Sequence, residues 1–305
     1  MRIVFIGAVD FSAHCLKEIL KNQGNVVAIF TIADSRASMH ADFANLSEIA
    51  QPDNIPIHNV RNINHPHNIQ RIQSYRPDII FVFGWSQLIS QTIINIPPQG
   101  CIGTHPALLP QNRGRHPIVW ALVEGLKETG LTFFYIDEGT DSGDILWQKA
   151  CSITLEDTAA TLYKKIKALA SEGISGFLPL LEHNQAQRVP QDHNKATYWR
   201  KRTEKDGEID WTSSNQTTYN LIRALTHPYV GAHTYHQNSV VKVWQAQLSN
   251  TPLPTRSQQA PGTVVHITSD GHLHVKTSDH LLVILEYECI GNTLIKTGDK
   301  LETRT

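Results

Sequence analysis

The chain has 305 residues, of which 40% are hydrophobic and 18% charged, with a formal net charge of −1. That length and apolar content support one large domain or two ordinary ones, each with a real core. The near-neutral balance argues against a protein whose main task is to grip nucleic acid or an anionic membrane, and no stretch approaches the ~20 apolar residues of a membrane span.

Four cysteines, Cys15, Cys101, Cys151 and Cys289, show no CxxC or zinc-like spacing and read as structural thiols of a reducing cytoplasm. The N-terminal MRIVFIGAVDFS is short and interrupted by Asp10, so it reads as neither signal peptide nor membrane anchor, and a soluble cytoplasmic protein is expected. Arg2–Ile6 is an apolar run of the kind buried on both faces of a sheet, and Gly7 ends it. Phe11, Cys15, Leu16 and Ile19 then repeat at helical spacing across Phe11–Leu20, and Asn25–Thr31 is the next strand. A β-loop-α-β opening predicts a parallel sheet wound with helices. Its first loop, GAVDFS, contains a single glycine and is not the GxGxxG dinucleotide fingerprint. Ligands of open sheets bind beyond the carboxyl ends of the strands, which makes Val9, Asp10, Phe11 and Ser12 candidate contacts. A helix cap is the competing reading for Asp10 and Ser12.

Thr31–Phe43 reads as a long polar loop, Leu46–Ala50 and His67–Ser74 as helices, and Ile55–His58 as a short strand. Asp78–Phe83 is another apolar strand, broken by Gly84-Trp85-Ser86-Gln87, a turn whose backbone can meet a flat ligand. Cys101–Thr104 is a strand that delivers His105 to a loop. Pro117 opens a helix over Ile118–Glu124. Leu131–Ile136 is a strand, the TDSGD turn follows, Ile145–Ile153 is extended, and Asp157–Leu181 is helical, closing on Pro179. These elements predict an α/β domain over residues 1–188. Residues 189–211, with Tyr198–Arg202 (YWRKR), read as a connecting arm. After a helix at Thr217–Ala224 come Ala232–Tyr235, Val240–Trp244, Gly262–Ile267, Leu273–Lys276 and Leu281–Tyr287. Short strands at this spacing predict a small β-barrel over 212–305.

The chemistry concentrates between Gly100 and Gln148: His105, a loop with Arg113 and Arg115, and a Gly-rich turn with Asp137, Glu138, Asp141 and Asp144. An imidazole beside a carboxylate can take or relay a proton near neutral pH, and can hold an oxyanion when protonated. The arginines suit an anionic substrate or a cofactor carboxylate. No HExxH or paired-histidine spacing is present, so no metal is expected. Read this way, the residues imply acid–base or acyl-transfer chemistry and leave the acyl group and its acceptor open.

The pattern GCIGTHPALLPQNRGRHPIVWAL, followed by ETGLTFFYIDEGTDSGDI, resembles the folate-dependent formyltransferases, and the likeness extends over nearly the whole chain. GAVDFS is similar to that family's first loop. KRTEKDGEIDW and IRALTHPYVGAHT are similar to its junction into a C-terminal OB-like barrel. The resemblance implies a parallel Rossmann-like sheet with an OB-like domain, N10-formyltetrahydrofolate as formyl donor, and His105 and Asp141 as the catalytic pair. It implies a pteridine site at Ser86, Gln87, Leu88, Ile89, Asp137 and Glu138, near Arg113 and Gly114. The amine acceptor is then expected on the Val9, Asp10, Phe11 and Ser12 side, with Arg115.

The family's asparagine, two residues before the histidine, is Gly103 here. Either another donor (a backbone N–H, Asn112 or an ordered water) is expected to supply its role or His105 carries more of the load, and loss of catalysis is the competing reading. The tRNA-formylating branch carries a basic insertion after its second strand; here TIADSRASMHADFANL holds Arg36 alone. FGWSQLI and NRGRHPIVWAL look more like the sugar-nucleotide branch. The expected acceptor is therefore a nucleotide-linked amino sugar, a UDP- or dTDP-4-amino-4,6-dideoxyhexose destined for surface polysaccharide, with no nucleic-acid or membrane partner. Arg36, Lys201 and Arg202 are candidates for its pyrophosphate, and a homodimer is common among relatives. The alternatives are a methionyl-tRNA formyltransferase, and a 10-formyltetrahydrofolate hydrolase or non-catalytic binding member.

Overall fold

Five parallel strands carry the first half of the chain, as its apolar runs require. The computed structural model describes residues 1–32, 42–252, 259–291 and 293–304. In chain order, β1 (Arg2–Ile6), α1 (Asp10–Lys21), β2 (Asn25–Ile32), α2 (Ser47–Ala50), β3 (Ile57–Val60), α3 (Pro66–Ser74), β4 (Ile79–Val82), α4 (Gln91–Ile94) and β5 (Cys101–His105) lead into the site region. Then come β6 (Arg113–Gly114), α5 (Pro117–Val123), β7 (Glu128–Tyr135), β8 (Ile145–Ser152), α6 (Ala159–Glu182), β9 (Tyr198–Trp199) and α7 (Asn215–Leu225). Strands β10 (Ala232–His236), β11 (Ser239–Pro252), β12 (Val264–Ile267), β13 (Leu273–Lys276) and β14 (His280–Ile290) complete the order. The chain forms two compact units: Met1–Pro117, Thr129–Ser152 and Lys164–Trp199 in one, and Ile118–Glu128, Ile153–Tyr163 and Arg200–Thr305 in the other.

In the first unit the sheet order is β3-β2-β1-β4-β5-β7-β8. Ile3–Ile6 and Ile79–Phe81 are fully enclosed, as expected of strands covered on both faces. The sheet is parallel from β3 to β5, but β7 runs antiparallel to β5, with Gly103 opposite Phe134 and His105 opposite Thr132. The expected parallel sheet is thus a mixed one. Reversal at β7 has a consequence for chemistry, because it lays Phe134 beside Gly103 on one face of the sheet. Expected and observed bounds agree closely for β1, α1 and α3. β3 begins two residues later than the apolar pattern suggested, and α6 runs through Pro179 to Glu182.

The second unit is built on an antiparallel sheet of order β10-β11-β14-β13-β12. β11 and β14 run longer than their alternating patterns predict, because register shifts between Val243 and Gln245 and between Gln245 and Ala246 interrupt the alternation without ending the pairing. The C-terminal segment bridges both flanks of this sheet, Tyr235 with Glu302 and Thr263 with Lys300. Those bridges cover strand edges that would otherwise present unpaired backbone groups. Trp211 is enclosed here, its indole N–H donating to Thr234 Oγ1 at 2.9 Å.

Candidate active site

His105 is the last residue of β5 and only 3% exposed. Its Nε2 lies 2.7 Å from the carbonyl oxygen of Asn112. A carbonyl can only accept, so the neutral ring carries its proton on Nε2 and presents a bare lone pair at Nδ1. That Nδ1 faces Asp141 Oδ2 at 3.6 Å, an ion-pair distance once the ring is protonated. The geometry suits a base that picks up a proton and has a carboxylate waiting to balance it.

Asp141 has φ of +51°, in the left-handed region that a non-glycine residue seldom occupies. Neighbouring hydrogen bonds hold it there: Oδ2 accepts the Gly114 N–H at 2.9 Å, and its carbonyl accepts Gln191 Nε2 at 3.0 Å. Gln191 Nε2 also reaches the Gly143 carbonyl at 2.6 Å, so one side chain staples the acidic turn at two points. Gly114 has φ of +105°, and a Cβ there would overlap the Trp199 carbonyl, so only glycine fits. The two-residue strands β6 and β9 pair in parallel, Arg113 opposite Tyr198 and Gly114 opposite Trp199.

A cavity of about 740 Å³ lies against His105 and Asp141, a size suited to a small organic ligand. Ser86, Gln87, Leu88 and Ile89 line one side, beyond the carboxyl end of β4, and Asp137, Glu138, Gly139 and Thr140 line another. Gly103, Thr104, Gly114 and Arg115 complete the wall near the histidine, with Trp85 and Phe134. Asp137 organises its own turn, Oδ1 accepting the Gly139 N–H at 3.0 Å and the Ser142 hydroxyl at 2.7 Å. The indole N–H of Trp85 is enclosed without a hydrogen-bond partner among the described residues.

Several expected contacts fall elsewhere. Arg113 is 1% exposed and does not line the cavity. Its Nη1 donates to the Tyr198 hydroxyl at 2.9 Å, and its Nη2 donates to Gln191 Oε1 at 2.7 Å and lies 3.2 Å from His193 Nδ1. A guanidinium taken out of water needs such acceptors, and finding them at both Nη atoms, though not at Nε among the described residues, makes Arg113 an anchor for the segment expected to be a connecting arm. Val9, Asp10, Phe11 and Ser12 sit at the end of β1 and do not line this cavity. Phe11 and Ser12 are buried, and Asp10 pairs with Lys167. Ser12 Oγ accepts the Ala8 and Val9 N–H groups at 3.0 and 3.1 Å and donates to the Phe83 carbonyl at 2.6 Å, the local capping role. Lys201 and Arg202 belong to the second unit, where Arg202 stacks over Trp120 at 4.6 Å; Arg36 lies outside the described residues.

Asn112 contributes its carbonyl, not its amide: Oδ1 accepts the Thr197 hydroxyl at 3.1 Å, and the side chain does not reach the cavity. At Gly103 a Cβ would stand 3.0 Å from Phe134 Cζ and 3.1 Å from Ile136 Cγ1. The aromatic ring thus fills the space a longer side chain would need. Gln191 and Phe134 are the residues that sequence reasoning missed. Gln191 sits in a polar stretch without periodicity, and Phe134 is one of several apolar strand residues, so neither carries a local signal. Among the described residues, no group of three or more His, Cys, Asp or Glu side chains could hold a metal ion, and no helix is long and apolar enough to cross a membrane.

Comparison with known proteins places the whole chain among formyltransferases. Residues 1–178 match the family described as formyl transferase, and residues 201–302 match the formyl transferase C-terminal domain. A methionyl-tRNA formyltransferase of Alkaliphilus oremlandii (strain OhILAs) is 30% identical over 303 residues, 99% of this chain and 96% of that protein. Among solved structures, WlaRD, a sugar 3N-formyl transferase crystallised in the presence of dTDP and 5-N-formyl-THF, has a TM-score of 0.67 at 18% identity. That match covers 96% of this chain and 99% of WlaRD. HypX from Aquifex aeolicus has a TM-score of 0.66 at 18% identity over 93% of this chain, which spans 43% of the HypX chain. At such identities the likeness is one of fold. With both domains matched in order and a relative aligned from end to end, the chain belongs to the formyltransferase family.

Proposed function

We propose that this chain transfers the formyl group of N10-formyltetrahydrofolate to the primary amine of a nucleotide-linked amino sugar. The pairing of His105 with Asp141 against a cavity of about 740 Å³ carries the formyl-transfer reading. The pteridine would lie along Ser86–Ile89 and the Asp137–Glu138 turn, with Gly114 at its reacting end. His105 Nδ1 would take a proton from the attacking amine, and Asp141 would balance the imidazolium that results. Asn112 keeps the ring in the required tautomer through its carbonyl.

For the acceptor, the supporting observation is charge. A polyanion is held through many Lys and Arg contacts to phosphate, and this chain has a formal net charge of −1 with Arg36 alone in the loop after β2. A small nucleotide sugar, a UDP- or dTDP-4-amino-4,6-dideoxyhexose made in the cytoplasm for surface polysaccharide, needs no basic face. The 30% identity to a methionyl-tRNA formyltransferase favours initiator tRNA as the second reading. Incubation with the formyl donor and either aminosugar nucleotides or charged initiator tRNA separates the two. Formylated sugar is the expected product; turnover with tRNA alone would overturn the acceptor assignment, and formate release without an acceptor would indicate a hydrolase.

A further inference from the structure

We infer that Arg115 is a catalytic residue of this site, its guanidinium donating to the formyl oxygen as that oxygen becomes an oxyanion. This rests on the formyl-transfer chemistry proposed above and not on the identity of the acceptor.

Acyl transfer requires a placed donor for the oxyanion, and the usual sources around His105 are already committed. The Nε2 proton of the ring is spent on the Asn112 carbonyl, and Nδ1, acting as base, faces Asp141. Position 103, on the same face of β5 as His105, offers no side chain, and the Phe134 ring and Ile136 crowd the place where one would start. The backbone N–H groups of Gly114, Arg115 and Gly139 go to Asp141, Trp199 and Asp137. The Gln87 amide donates to the Arg61 carbonyl and accepts from the Ile63 N–H. The Trp85 N–H is shielded inside the wall.

Arg115 is what remains with a charge. Among the described residues it is the one Lys or Arg lining the cavity, it is exposed, and its guanidinium has no partner. Its backbone directly follows Gly114, whose N–H holds the Asp141 carboxylate, so the side chain starts one residue from the catalytic pair. An ionised donor gives a stronger hydrogen bond to a developing negative charge than a neutral amide would.

The step balances. As the amine nitrogen bonds to the formyl carbon, the carbonyl π pair moves onto oxygen beneath Arg115 and the amine proton passes to His105 Nδ1. The oxygen pair then re-forms C=O, the bond from carbon to N10 breaks, and the N10 pair takes the proton from His105, leaving tetrahydrofolate and a formamide.

The test compares R115A and R115K with the wild-type chain, supplied with formyl donor and both acceptor classes. Formate release, which passes through the same oxyanion, is followed in parallel, so the readout stands whichever acceptor is used. R115A should lower kcat by about 10²–10³-fold with KM values little changed. R115K and added guanidinium ions should each restore part of the rate, which loss of a structural contact would not allow. An R115A chain with unchanged kcat, or a loss confined to KM, would overturn the assignment.

Discussion

Gln191→Ala tests whether a residue far from His105 and Asp141 in sequence holds the proposed catalytic turn together. Gln191 is 6% exposed and makes three hydrogen bonds: from Arg113 Nη2 at 2.7 Å, and to the carbonyls of Asp141 and Gly143 at 3.0 and 2.6 Å. The first is charge-assisted, worth about 1.5–3 kcal/mol, and each of the others about 1 kcal/mol. Arg113 keeps Tyr198 and His193 as partners, which places its share at the low end, so the expected loss is roughly 2–4 kcal/mol. Denaturant titration of the full chain, followed by tryptophan fluorescence, should show an earlier first transition. Activity should fall as well, because Asp141 loses one of the bonds that maintain its left-handed backbone. Gln191→Glu separates the two ends of the side chain: it keeps an acceptor for Arg113 but sets a carboxylate against two carbonyls, so it should be worse for kcat than for anchoring the 191–198 segment. A Q191A chain with wild-type stability and kcat would refute the assignment of Gln191 as the staple of this turn.

Substitution of the proposed catalytic pair should act on rate. His105→Ala should abolish transfer, and Asp141→Asn should cut kcat by about 10²–10⁴-fold by removing the charge that balances the imidazolium; an unaffected rate in either removes that residue from its role. Acid should destabilise the fold early. His14, His58, His233 and His274 are all held below the ordinary imidazole range, burial being the main cause in each. Between those lowered values and about 6.5 the unfolded chain binds more protons than the folded one. Their contribution is therefore complete above that value and is lost as the pH falls, so the denaturation midpoint should drop between pH 7.5 and 5.5; a flat midpoint would count against it. The cysteines should divide by burial. Cys101 is pushed up to about 12 and Cys15 well above its usual value, both inside the core. Alkylation of the native protein, read by mass spectrometry, should thus label Cys151 and Cys289 first. Equal labelling of Cys101 would refute that ordering.

The strands β1, β2, β4 and β5 and the helices α1 and α3 were legible in the chain alone, because burial on both faces of a sheet leaves apolar runs and burial of one helix face leaves a 3.6-residue stripe. His105, Asp141 and the Ser86–Ile89 turn were legible for a different reason: they lie within or next to a motif whose spacing resembles a known chemistry. Neither kind of signal reaches across long separations. Arg113 meets Tyr198 from 85 residues away, and Gln191 meets Asp141 from 50. Both contacts depend on where a polar segment returns after α6, which no local period encodes. The same holds for Gly103, whose bare Cα was visible in the chain while the reason for it was not. The reversed strand β7 sets Phe134 against it. Local periodicity therefore determined which elements form, and the motif pointed to the residues that could do the chemistry. Tertiary pairing decided that Arg113 is an anchor, that Gln191 shapes the turn, and that Arg115 is the cation left facing the cavity.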